Sequence, residues 1–107
     1  MIYKFKSKAA GDVIMTGTVG DDVLRLIGKS AGAQGIIESA AMPAAIGALE
    51  QAVAADEAAR AQAEREAAAE GRKLGPRDGV TLRQRAWPLV EMMKRSNAEG
   101  ADITWGV

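Results

Sequence analysis

Polar and apolar residues alternate over residues 2–7 (IYKFKS), with Tyr3 and Phe5 on one side and Lys4 and Lys6 on the other. That period of two, carried by aromatic residues, predicts a half-buried strand. A polar turn from Lys8 to Asp12 leads to Val13-Ile14-Met15-Thr16, and two such runs this close predict a β-hairpin. Gly17 to Gly20 then interrupt the pattern, and Asp21 or Asp22 is expected to cap a short helix whose apolar stripe is Val23, Leu24 and Ile27. Gly28 is a natural stop; residues 28–35 read as a loop, anchored to the core by Ile36 and Ile37.

The helical period returns after Ser39. Pro43 suits a first turn, and Ile46, Leu49 and Val53 form a narrow apolar stripe. Between Val53 and Leu74 there is no apolar residue larger than Ala. Ala and Glu favour helix there, but no face can bury much, so residues 54–79 are expected to form a solvated Ala/Glu-rich helix and loop insertion within a single domain, 1–107. Thr81-Leu82-Arg83-Gln84 has the form of a capping box. Behind it, Leu82, Ala86, Leu89, Val90 and Met93 share one sector at about 100° per residue. Because that periodicity continues past Pro88, the proline is expected to kink the helix rather than end it, with Gly100 as the left-handed cap. Residues 102–105 (DITW) read as a closing strand, with Trp105 packed into the body of the protein. The order β-β-α-α-α-β predicts an α+β fold: a small antiparallel sheet, built from the N-terminal hairpin and the C-terminal strand, packed on about three helices.

Composition narrows the function classes. The chain has 107 residues, 14 basic and 14 acidic, with no His and no Cys. Disulfides, thiolate chemistry, Cys-ligated metal and the usual general base are therefore absent. No EF-hand spacing occurs, and the serines have no His to activate them. Gly28-Lys29-Ser30 resembles the end of a phosphate loop, but the pattern needs Gly at position 23, which is Val. A helix cap is the better reading. We expect no catalytic residue, metal or cofactor. The start lacks an apolar run of signal-peptide length and no segment suits a membrane span, so a cytoplasmic location without membrane association is expected.

The neutral total hides a gradient. Residues 39–70 sum to −4 and residues 71–95 to +5. Within the basic block, Trp87 falls at about 140° from Leu82, beyond the core sector's edge, between Lys94 at about 120° and Glu91 at about 180°, with Arg83 at about 100°. Arg83, Arg85, Trp87 and Lys94 are the candidate interaction residues. Two readings of Trp87 stay open: an exposed anchor among cations, or a core residue turned inward by a Pro88 kink. The second carries slightly more weight because Trp is usually mostly buried.

The ends of the chain, MIYKFKSKAAGDVIM and LRQRAWPLVEMMKRS with DITWGV, together with Leu26-Ile27-Gly28-Lys29, Gly35-Ile36-Ile37 and the Met42–Ile46 turn, resemble a family of small proteobacterial proteins known only as a domain of unknown function. That resemblance implies no established activity, ligand or catalytic residue. The residues favour a non-enzymatic protein-interaction module of the bacterial cytoplasm, binding a protein partner or itself. The alternative is a nucleic-acid-associated accessory protein using the basic 71–95 block, with the hairpin's aromatic residues and lysines as a second surface. A small enzyme or ligand binder stands third.

Overall fold

The computed structural model describes residues 2–75 and 81–106. The N-terminal hairpin forms as β1 (Ile2–Ser7) and β2 (Ala10–Thr16). It is followed by α1 (Gly17–Leu26), β3 (Gly35–Ile37), a short 3-10 turn at Ser39–Ala41, α2 (Met42–Ala69), α3 (Leu82–Glu99) and β4 (Ile103–Trp105). All pairings are antiparallel, and the sheet order is β2-β1-β4-β3. The α+β class is as the pattern predicts. The closing strand lies inside the sheet, between β1 and β3.

Alternation decides which face meets the helices. Tyr3, Phe5, Met15, Ile37, Ile103 and Trp105 point inward and are buried. They pack with Val23 and Leu24 of α1, Leu49 and Val53 of α2, and Leu89, Val90 and Met93 of α3. Tyr3 stacks on Phe5, and Trp105 meets Phe5 edge-on with centroids 5.7 Å apart. The opposite face carries Lys4, Lys6, Ile14 and Ile36 and is exposed.

Three expectations need correction. β2 starts at Ala10 rather than Val13, since the tight turn at Lys8-Ala9 sets Ala10 opposite Ser7, with a shift in register before Val13 meets Phe5. The Gly28–Ile37 stretch ends in a strand, because Ile36 and Ile37 find ladder partners in Thr104 and Ile103. α1 begins at Gly17, ahead of the two aspartates. Burial of Gly20, Val23 and Leu24 outweighs the poor helix propensity of its first turn. Asp21 and Asp22 therefore sit inside the helix, where Asp21 accepts the Tyr3 hydroxyl hydrogen bond and Asp22 pairs with Arg25 at 3.1 Å. The helix holding Pro43 in its first turn runs from Met42 to Ala69, so the Ala/Glu-rich stretch expected to be helical continues it without a break. Beyond Val53 most of its side chains are exposed, Ala67 being buried.

Helix ends follow local chemistry. Thr81 accepts from the Gln84 N–H at 3.1 Å while Gln84 accepts from the Thr81 N–H at 3.0 Å, closing the capping box. At the end of α1, Gly28 takes φ +80°, and the next residue's N–H reaches back to the Leu24 carbonyl at 2.8 Å. This is a Schellman cap. The Gly-Lys-Ser tripeptide is thus a helix exit, not the phosphate-facing entrance that a phosphate loop requires.

Tyr3 is the one tyrosine of the chain. The hydrogen bond to Asp21, then burial, then the Asp21 charge raise its pKa above 10.0, with the Gly32 backbone opposing. Ionisation would remove the donor and set a second negative charge beside Asp21. With the folded pKa raised, the stabilisation is complete below about pH 10, the unfolded value, and is lost as pH climbs through the folded pKa. Tyrosinate absorbance should therefore appear at higher pH in the folded chain than in urea. Tyr3→Phe should flatten the alkaline loss of stability, and an unchanged slope would contradict the hydrogen bond's role.

Candidate interaction surface on the third helix

α3 presents three sides. One faces the core through Ala86, Leu89, Val90 and Met93, and the buried Met92 and Ser96 extend that side toward the sheet. Ser96 shares a 2.8 Å hydrogen bond with Ser7. A second side meets α2, and the third faces solvent. Glu57 of α2 receives Arg83 through two bonds, Nε at 3.0 Å and Nη2 at 2.8 Å, and Glu50 pairs with Lys94 at 3.7 Å. Later α3 residues pair with earlier α2 residues, so the helices run antiparallel.

Trp87 sits between these two bridges. The Arg83 guanidinium carbon and the Lys94 ammonium each lie 5.3 Å from its ring centroid, within cation–π range. The indole is 37% exposed, and no acceptor engages its N–H among the described residues. The helix continues through Pro88 without turning Trp87 inward. The inward reading fails because the capping box and the Leu89, Val90 and Met93 contacts fix the helix phase on both sides of the proline. Arg83, Gln84, Trp87 and Pro88 line an open cavity of about 560 Å³. Pro88 has no N–H for the Gln84 carbonyl one turn back.

Electrostatics hold the arrangement in place. Two hydrogen bonds and the charge of Glu57 raise the Arg83 pKa, so the guanidinium stays protonated at any ordinary pH. Of the four candidate residues, Arg83, Trp87 and Lys94 come together. Arg85 does not: two residues from Trp87 it points to another side of the helix, half-buried, with Nε shielded from solvent and unbonded. The residues that sequence reasoning missed are Glu50 and Glu57. Their spacing of two helical turns was a signal, but only the packing of α2 on α3 shows which cations they meet.

The other sequence motifs do not gather into a site. Tyr3 and Phe5 face the core while Lys4 and Lys6 face solvent, so aromatic rings and cations do not share a nucleic-acid-binding face. Among the described residues no group of three acidic side chains could hold a metal ion, and no helix is long and apolar enough to cross a membrane.

Taken together, these features define a two-layer α+β protein with one bare sheet face and an ordered aromatic–cation cluster on its last helix. Residues 1–105 match the family described as "Domain of unknown function (DUF1840)", and the chain belongs to that family. No curated protein and no solved structure matches it.

Proposed function

We propose that this chain is a non-enzymatic protein-interaction module of the bacterial cytoplasm, and that it engages its partner through the Trp87 cavity of α3. The observation that supports this reading is the ordered state of the cluster: a half-exposed indole between Arg83 and Lys94, both tied to α2. Trp and Arg are the residue types that most often dominate binding energy. Side chains already held in place lose less freedom on association, so more of the contact energy remains as affinity. A structural reason for the exposed ring is weaker, since its two exposed cation–π contacts contribute only about 0.5–1 kcal/mol each.

Trp87→Ala tests this. The variant should lose about 1–2 kcal/mol of stability, well short of the ~3–5 kcal/mol expected for a core Trp. It should also lose the proteins captured by the wild-type chain from nuclease-treated native lysate. A stable variant that captures the same proteins refutes the site. The basic 71–95 block supports a second reading, a nucleic-acid-associated role. It predicts nuclease-sensitive capture that weakens by about one log–log unit per phosphate contact as salt rises.

A further inference from the structure

β2 lies at the edge of the sheet, so one side of its seven-residue backbone has no ladder partner among the described residues. Edge strands are usually blunted by Pro, Lys or covering elements. β2, with the sequence AGDVIMT, has neither Pro nor Lys, and its Ile14 is 65% exposed. Beside it α3 overhangs a second open cavity, of about 230 Å³, lined by Ala10, Gly11 and Val13 of β2 and by Pro88, Glu91, Met92 and Arg95 of α3. Pro88 also borders the Trp87 cavity, so the two form one continuous outer surface. Glu91 and Arg95 lie one turn apart on the same helix and make no ion pair among the described residues, whereas Arg83 and Lys94, on the side that meets α2, are matched by Glu57 and Glu50.

We infer that this edge binds a second copy of the chain: two β2 strands pair antiparallel about a two-fold axis, and Glu91 of each copy meets Arg95 of the other. The charge pattern selects the occupant. A two-fold axis reverses the order of a helix's residues, so an acidic and a basic residue one turn apart become complementary to themselves. The strand is compatible with this too. With the axis beside Val13, Val13 faces Val13, Gly11 faces Met15 and Asp12 faces Ile14, so no like charges oppose. The resulting sheet has eight strands. The inference does not depend on the Trp87 reading.

Sedimentation equilibrium of the full chain tests it. A reversible dimer is expected, with the β2 amides on the free edge protected from hydrogen exchange at high concentration and unprotected on dilution, while those bonded to β1 stay protected. Glu91→Arg alone, or Arg95→Glu alone, replaces two attractive contacts per dimer by two repulsive ones, and should weaken dimerisation about tenfold or more. Combining Glu91→Arg with Arg95→Glu restores complementarity and should restore the dimer. Both substitutions are at exposed positions, and circular dichroism confirms that each variant folds. A wild-type chain that stays monomeric overturns the inference, even if β2 then accepts a strand from some other protein. So does a dimer that is indifferent to both single reversals, or one that the double reversal fails to rescue.

Discussion

Truncation after Asp102 should abolish cooperative unfolding. The segment removed is short, but β4 pairs with β1 through Phe5–Trp105 and Lys6–Thr104, and with β3 through Ile37–Ile103 and its neighbours. Without it the sheet reduces to one hairpin, and an isolated hairpin is marginal at best. The loss also opens the core, since Ile103 and Trp105 are both buried beneath the helices. Trp105 further donates its indole N–H to the Gly32 carbonyl at 3.1 Å, which fastens the loop between α1 and β3. Trp105→Ala keeps the strand and should cost about 3–5 kcal/mol. A protein of this size typically has only about 5–15 kcal/mol in total, so deleting the whole strand leaves no folded margin. Urea titration followed by circular dichroism is the check. A sigmoidal transition at the wild-type midpoint would show that β4 does not hold the sheet together.

Features governed by neighbouring residues were legible in the sequence. The Thr81–Gln84 box and the Gly100 cap each need only a few adjacent residues, and both form where the pattern places them. The hairpin alternation was readable because one face is buried and the other wet. β3 was not, since a three-residue strand becomes a strand only when β4 arrives beside it. The start of α1 was hidden for a related reason. Glycine at positions 17 and 20 signals a break locally, while the packing of Tyr3 against the helix requires a residue without a side chain at 20. The angular position of Trp87 followed from helix geometry, and its partners Arg83 and Lys94 came with it. What could not be read was how α2 supplies Glu50 and Glu57, a fact of tertiary packing. Nor could the cavity beside β2 be seen, because it depends on which strand lies at the sheet edge.

Replacing Gly20 by Ala should destabilise the protein by about 1–3 kcal/mol, although on helix propensity alone the change should stabilise it. Gly20 lies within α1 and is buried, and a Cβ there would fall 2.0 Å from Cδ2 of Tyr3. The ring cannot easily retreat. Its hydroxyl is tied to Asp21, its face lies on Phe5 at a centroid distance of 5.8 Å, and the side chain is buried. Helix propensity returns at most about 1 kcal/mol for Gly→Ala, and overpacking a closed core costs more. Gly47 supplies the opposite case. It is also inside a helix, α2, but a Cβ there meets nothing within 4 Å. Gly47→Ala should therefore raise stability by up to about 1 kcal/mol. The two substitutions share their chemistry and differ only in surroundings, so their signs isolate the contact with Tyr3. Thermal melts of both variants read the result, at roughly 4–8 °C per kcal/mol for a domain of this length. A Gly20→Ala protein that melts above wild type would mean that Tyr3 does not lie against α1.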